Sequence, residues 1–318
     1  MKDGGLPKFI EVYLHALLSA PWRFTLVYLS LVSKRSHDYL TRNLREKYHF
    51  KELLKLLLSK QKLDEGYIVI DETDVDKSFG DKMPGLGWIW SNRKKKHIYG
   101  LHIVTTAWTN GEITIPLSWK IYKKGGEETK SDPAIKLIKY CLFNLNIHPK
   151  AFLFDSFYAS EELLKTLIGY DQKFVSQVDR KRNLDGKSVR LINQGRPYWL
   201  EKGNLTGNIY VQVVKNRRKY FITNLIGITR EEQLNTYKIR WTIEDVFRFT
   251  KKELGFEKCQ ANTLHGQNTH FGTCFLLHGL LQDIAEKTRM TVYQIKLEAT
   301  YNPCFAKNLN IMDYFTPA

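Results

Sequence analysis

"HIYGLHIVTTAWTNGEITIPLSWKIY", residues 97–122, consists of two long apolar stretches rich in Val, Ile, Thr, Trp and Tyr, joined by Asn110-Gly111. β-Branched and aromatic residues suit a pleated strand, and Asn-Gly supplies the positive φ angles of a tight hairpin turn. The stretch therefore predicts an antiparallel hairpin. Before it stands the apolar strand "YIVID" (67–71). After it come the helix "DPAIKLIKYCLFNL" (132–145), the strand "AFLFD" (151–155), the helix "SEELLKTLI" (160–168) and the strand "KFVSQV" (173–178). Three strands followed by helix, strand, helix, strand imply a mixed α/β sheet with helices on its faces.

The flanks differ in pattern. Residues 8–60 carry apolar residues at three- and four-residue spacing in "FIEVYLHALL", "RFTLVYLSLV" and "HFKELLKLLL", which predicts helices. Between them, Ser36 is placed to cap a short helix bearing His37, Arg42, Asn43 and Arg45, either a DNA-reading helix of a helix-turn-helix or an ordinary surface helix. Residues 179–225 are strand-rich and basic, and "THFGTCFLLHGLLQDIAEKT" (269–288) returns to helix. The expected division is a helical N-terminal DNA-binding region at 1–62, a core at 63–178 and 226–262, a β-rich insertion at 179–225, and a helical C-terminal region at 263–318.

With 49 Lys and Arg against 33 Asp and Glu, the chain carries a formal charge of +16, which favours a polyanionic partner, nucleic acid first. Arg93-Lys94-Lys95-Lys96-His97, Arg180-Lys181-Arg182 and Lys215-Asn216-Arg217-Arg218-Lys219 concentrate that charge beside Trp, Tyr and Val-rich segments. The composition, 43% hydrophobic and 26% charged with no low-complexity tract, excludes a disordered or fibrous chain. "FIEVYLHALLSAP" is interrupted by Glu11 and His15 and lacks a basic start, so it reads as an amphipathic helix and not a signal peptide. The four Cys residues form no close pair, which fits a reducing cytoplasm.

Two features bear chemistry. Asp71 closes "YIVID" and Asp155 closes "AFLFD". A carboxylate at the end of a buried strand is costly unless paired or metal-bound, and ligands of open α/β sheets gather beyond the carboxyl ends of strands. The second feature is "YKIRWTIEDVFRFTKK" (237–252). Read as one helix at about 100° per residue, Tyr237, Arg240, Glu244 and Lys251 fall within about 60° of one another, opposite Ile239, Ile243, Val246 and Leu254. Asp71, Asp155 and Glu244 then form a three-carboxylate set, for which hard oxygen donors select two Mg²⁺ ions, with Mn²⁺ able to substitute. Asp74 and Asp76 compete with Asp71 for the first position. Arg248 can pair with Glu244 or contact DNA.

The spacing Tyr-x2-Arg-x3-Glu-x6-Lys at 237, 240, 244 and 251 resembles the YREK signature of the DDE transposases of insertion sequence family four. "IDETDVDK" is similar to that family's first-Asp region, and "FLFDSFYAS" to its second. The resemblance runs from about residue 66 to 260, with "SHDYLTRNL" reminiscent of the family's N-terminal region. It implies a ribonuclease H-like mixed sheet with helices on both faces, a strand-rich insertion before the third carboxylate, and cut-and-paste transposition through end cleavage, a hairpin intermediate and strand transfer. Asp71, Asp155 and Glu244 would be catalytic metal ligands, with Tyr237, Arg240 and Lys251 gripping phosphates. Trp199 would be a candidate stacking platform for a flipped base, or else a sheet-face hydrophobe. The implied partners are double-stranded DNA, as the inverted terminal repeats of the element and its target, and a second copy of the chain on paired ends. The implied setting is the nucleoid of a bacterial or archaeal cytoplasm. A non-cutting DNA-binding derivative and a ribonuclease H-like nuclease are the alternatives.

Two further patterns invite weaker readings. Cys259, His265, His270, Cys274 and His278 suggest zinc but lack the paired close ligands of a metal finger. Asn204 heads a glycosylation triplet that has no use in a cytoplasmic protein.

Overall fold

The computed structural model describes residues 6–59, 62–78, 80, 83–91, 93–122, 128, 129, 131–309 and 311–315. Four helices open it: α1 (Lys8–Ser19), α2 (Leu26–Ser33), α3 (His37–Leu44) and α4 (Phe50–Leu58). The strands β1 (Tyr67–Asp76), β2 (Gly87–Ser91), β3 (Lys96–Thr109) and β4 (Thr114–Tyr122) follow. Next come α5 (Ser131–Lys139), β5 (Phe152–Phe154), α6 (Glu161–Gly169) and β6 (Phe174–Val178). A strand-rich segment supplies β7 (Asn183–Leu184), β8 (Lys187–Ser188), β9 (Tyr198–Leu205), β10 (Ile209–Asn216) and β11 (Lys219–Thr223). The chain ends in α7 (Arg230–Lys238), α8 (Thr242–Glu253), α9 (Leu264–Thr288), α10 (Val292–Tyr301) and α11 (Pro303–Asn308).

All eleven strands belong to one sheet, in the order β2-β3-β1-β5-β6-β11-β10-β9-β7-β8, with β4 also on β3. β3 runs antiparallel to both β1 and β4, whereas β5 and β6 run parallel to β1. The antiparallel hairpin and the strand-helix alternation thus form the mixed sheet expected from their patterns. The basic strands of 179–225 extend that sheet through the β11–β6 pairing. β2 was not expected from the sequence, because five residues with two exposed Trp residues lack the long apolar run that marked β3 and β4.

Alternation along β1 assigns its residues to two cores. Ile68 and Ile70 face one core with Phe152, Phe154 and the inner faces of α5 and α6. Val69 and Val75 face the other, with α1, α4, α8 and α9. Asp71 shares the parity of Val69 and Val75, so its side chain points toward the α8 and α9 side. At Gly100, which pairs with both Asp76 of β1 and Gly87 of β2, a Cβ would stand 2.2 Å from the Val75 carbonyl oxygen, so only glycine lets the strands approach.

Three differences from the sequence reading affect the site. β1 does not stop at Asp71 but continues to Asp76, so that Asp71 lies mid-strand. The Asn110-Gly111 loop spans residues 110–113, with Asn110 Oδ1 accepting from the backbone N–H groups of Glu112 and Ile113. The third is in "YKIRWTIEDVFRFTKK", which is not one helix. α7 starts at a capping box, with Thr229 Oγ1 accepting from Glu232 N and Glu232 Oε2 accepting from Thr229 N, and ends at Lys238. A 3-10 turn at Ile239–Trp241 leads into α8. At three residues per turn, such a segment breaks the 100° projection across Arg240. The apolar stripe survives, with Ile243, Val246 and Leu254 fully buried.

Of the Cys and His run, Cys259, His270, Cys274 and His278 are buried in the core, whereas His265 is exposed. His270 Nε2 donates to the Gly255 carbonyl at 3.0 Å, which leaves Nδ1 to accept from Tyr13 Oη at 2.9 Å. Cys259 and Cys274 are buried, their thiols directed at the carbonyls of Gly266 and Leu254. Burial lowers His270 to a pKa of about 3, and His278 likewise. Their folded pKa values lie below the ordinary 6.5, so the unfolded chain binds more protons between those limits. Stability is present above pH 6.5 and falls as pH drops toward 3. Between pH 7 and pH 4 these two histidines should therefore cost the folded state stability, which denaturant unfolding of wild type and variant at the two pH values measures. His278→Asn should lose less between the two pH values; an equal loss would show that His278 is not a source of the acid sensitivity.

Candidate active site

The register of β1 with β5 pairs Ile68 with Phe152 and Val69 with Leu153. Continued by two residues, it sets Asp155, the residue after β5, beside Asp71 on a strand about 4.8 Å away. Asp155 Oδ1 accepts from Phe157 N at 2.9 Å, a turn that fixes the carboxylate at the strand end. The two charges interact. Burial, reinforced by Asp155 and Glu72, lifts Asp71 to a pKa of about 7 despite the opposing effects of Arg240 and the Glu72 N–H. Burial likewise raises Asp155, with Glu72 adding to the effect.

Arg240 supplies the offsetting charge. Its Nη1 donates to Asp71 Oδ2 at 2.6 Å and its Nη2 to Glu244 Oε1 at 2.7 Å, so that one guanidinium joins β1 to α8. The Arg240 side chain is 9% exposed, Asp71 14% and Glu244 34%. Burial opposes the Arg240 charge, but Asp71, Tyr237 and Glu244 outweigh it and hold the guanidinium above its ordinary range. Its Nε is buried and has no partner among the described residues. Tyr237 packs on Phe221 with ring centroids 4.8 Å apart and lies 5.8 Å from the Arg240 guanidinium; burial pushes its phenol up to about 12.

Lys251 occupies a second station. Its Nζ donates to the Asp74 carbonyl at 2.6 Å and pairs with Glu257 Oε1 at 3.0 Å. Seven residues of α-helix and three of strand both advance about 10 Å. Glu244 to Lys251 on α8 therefore matches Asp71 to Asp74 on β1. Glu257 also accepts from Arg93 at 2.7 Å, which makes a chain of alternating charge from Asp74 through Lys251 and Glu257 to Arg93. Asp76 is held at a pKa of about 2: its slight burial raises it, but Lys94 and Ser78 outweigh that. Asp74 and Asp76 are thus engaged with Lys251 and Lys94, whereas Asp71 faces Arg240 and Asp155.

The transposase DDE domain family model matches residues 63–280. The chain belongs to that family. A solved structure with the same fold is the synaptic complex of piggyBac transposase with hairpin DNA, similar over 97% of this chain and 70% of that one, at a TM-score of 0.56 and 14% identity. A Ciona intestinalis endonuclease V in complex with a 23mer DNA is similar over 60% of this chain and 86% of that one, at a TM-score of 0.29 and 10% identity, too loosely to carry an argument. No curated protein matches the chain.

In this transposase domain the three expected carboxylates do not stand as a ready cage. Among the described residues no three His, Cys, Asp or Glu side chains cluster closely enough to hold a metal ion. Asp71 and Asp155 are neighbours, and Glu244 is reached through the guanidinium of Arg240. Trp199 is 6% exposed and packs on Tyr220 at 6.0 Å, so its ring faces the core and not a base. The exposed aromatic at the site is Trp241, 55% exposed, with the Arg240 guanidinium 5.6 Å from its ring. Arg248 is exposed and pairs with Asp245 at 2.9 Å. The helix capped by Ser36 forms as α3, after a turn in which Lys34 adopts a left-handed conformation, and His37, Arg42 and Arg45 are exposed.

The sequence reading missed Glu72 and its partners. Tyr158 Oη donates to Glu72 Oε2 at 2.9 Å, and His102 Nε2 lies 2.9 Å from the same oxygen. The aromatic pair after Asp155 was visible in "FLFDSFYAS", but its contact depends on the sheet register. Similarly, Glu257 lies beyond the helix and gives no periodic signal.

Removing Arg240 leaves Asp71 buried and unpaired, which costs about 3 kcal/mol for a pair of this kind. The folded pKa of Asp71 is already raised above the unfolded value, so its contribution is full below pH 3.8 and is lost as pH rises through about 7. Without the guanidinium, the pKa rises further and the loss deepens. Arg240→Gln should therefore unfold at lower denaturant than the wild type, with a wider gap at pH 8.5 than at pH 5. An equal gap at both would show that the cost does not come from the Asp71 charge.

Proposed function

We propose that this chain is a DDE transposase of the YREK type, acting on double-stranded DNA ends by in-line phosphoryl transfer. The observation that carries this reading is the Asp71–Arg240–Glu244 arrangement, centred on a buried guanidinium, beside Asp155. The three acidic residues of the resemblance lie along one junction of sheet and helix, joined through Arg240, within a chain of net charge +16, which supports the reading.

The donor set fits divalent cations. Burial and neighbouring carboxylates, Asp155 and Glu72 for Asp71 and Glu72 for Asp155, push both toward neutrality, the response of crowded carboxylates that lack enough positive charge. Asp71, Asp155 and Glu244 would hold Mg²⁺ or Mn²⁺, two ions by the resemblance. When bound, the ions would activate the attacking oxygen and stabilise the leaving one.

The remaining work belongs to side chains of this protein. Arg240 presents a guanidinium suited to bidentate phosphate contact, with an Nε–H unclaimed among the described residues. Tyr237, kept neutral by its raised pKa, offers a hydroxyl donor beside it. Lys251 adds a point charge about two helical turns along. Arg248 is exposed and can reach the backbone of bound DNA. Trp241 is better placed than Trp199 to stack on an unpaired base. End cleavage, a hairpin intermediate and strand transfer would then be successive displacements at one centre, on paired ends held by two copies of the chain. The second reading, a non-cutting DNA-binding derivative, gains nothing from anionic groups that repel phosphate.

Excision tests the proposal. A donor plasmid carrying the DNA that flanks this gene should lose its insert with the wild type in Mg²⁺ or Mn²⁺. Asp71→Asn, Asp155→Asn and Glu244→Gln should each lower excision by at least about 100-fold while still shifting end DNA in a gel. Binding without excision by the wild type would favour the non-cutting derivative. Excision undiminished in Glu244→Gln would remove Glu244 from the mechanism.

A further inference from the structure

At the opposite edge of the sheet from β8, β2 and β3 form a hairpin whose outer face is aromatic and whose tip is basic. Trp88 and Trp90 on β2 are 66% and 49% exposed, while Ile89 and Ser91 between and beyond them are buried. The register sets Trp88 opposite Tyr99 and Trp90 opposite His97, with ring centroids 5.6 Å and 5.2 Å apart. Lys95 and Lys96 stand exposed at the tip, Lys95 with a φ of 52° in the turn. β3 pairs with β1 only from Gly100 onward, so Lys96–Tyr99 run past the end of β1. The Arg93–Glu257–Lys251 chain ties the tip to α8.

Two indole rings on an edge strand cost solubility and add nothing to either core. Their spacing indicates what they fit. Residues two apart on a strand are about 7 Å apart, twice the rise of about 3.4 Å between stacked bases of one strand of a duplex. Rings so placed match bases that have been unstacked and splayed, the way aromatic platforms take single strands. The lysines at the tip supply phosphate contacts, and they make a second copy of this basic chain a poor occupant of the same face.

We infer that the β2–β3 hairpin is a single-stranded DNA platform, with Trp88 and Trp90 stacking on bases and Lys95 and Lys96 contacting phosphates. The inference rests on the proposed function only for the source of the strand, the DNA unpaired when an end is opened; the binding itself needs neither metal nor cleavage.

The test is fluorescence anisotropy of the full chain with a short labelled oligothymidylate, and with a duplex of the same length, in EDTA at low salt. The wild type should bind the single strand. Trp88→Ala/Trp90→Ala should bind it at least about 30-fold more weakly, with the duplex much less affected, and Trp88→Phe/Trp90→Phe should keep most of the affinity. Lys95→Ala/Lys96→Ala should flatten the salt dependence. Unchanged single-strand affinity in a folded Ala pair would overturn the inference, as would an equal loss on duplex. Single-strand binding unchanged while the Ala pair sediments as a smaller species would instead assign the face to contact between copies. If wild-type excision fails but Trp-dependent single-strand binding persists, the transposase reading falls and this one stands.

Discussion

The site depends on one guanidinium in a place where water is scarce. Arg240 is the cation through which a strand carboxylate, Asp71, and a helix carboxylate, Glu244, share a boundary that would otherwise repel itself. Desolvating three charged groups is expensive, and a buried ion pair of this kind does not improve stability over a well-packed apolar contact. Its persistence is better explained by the charge it assembles. The same contact docks α8 on β1, and α8 in turn carries Ile243, Val246 and Phe249 into the core shared with α9.

That dependence accounts for what could be read from the sequence. The mixed sheet was legible because β3 and β4 are long, β-branched and joined by Asn-Gly, and because α5, β5, α6 and β6 alternate with clear changes of period. Asp71 and Asp155 were legible as acids set into apolar strands. Glu244 and Lys251 were legible through α8, whose two turns keep them on one face. Arg240 required more, because it stands in a 3-10 turn whose geometry a helical projection does not contain. Its partner Asp71 is 169 residues away, so no local pattern could state the contact. Glu72 of β1, His102 of β3 and Tyr158 of the turn after β5 meet across the sheet and were invisible for the same reason. Trp199, open in the sequence between a stacking platform and a sheet-face hydrophobe, depends on tertiary position in the same way. An aromatic residue in a basic strand suggests an exposed platform, but its position in β9 turns the ring into the core beside Tyr220.

The distribution of charge follows the same logic. Lys251, Arg93 and Lys94 are balanced locally by Glu257, Asp74 and Asp76, so the surface beside the site is a lattice of paired charges and not a bare cationic patch. Paired lysines and arginines are held in fixed directions, which lowers the conformational entropy lost when a phosphate takes the place of a carboxylate. Lys95 and Lys96, which make no ion pair among the described residues, lie further out, where orientation matters less and long-range attraction more.

On the proposed reading these two kinds of charge act at different distances from the reacting phosphate. Arg240 spends one N–H on each carboxylate and retains others, so phosphate contact need not wait for the Asp71 pair to break. Divalent cations would compete with the guanidinium for the same oxygens of Asp71 and Glu244. A phosphate beside Arg240 would shift that competition, because it would give the guanidinium a third anion to turn toward and leave the two carboxylates less satisfied. On this reading DNA binding and cation binding would be coupled through one side chain, each favouring the other by linkage. The carboxylates would then gather their full complement of positive charge only with the substrate present.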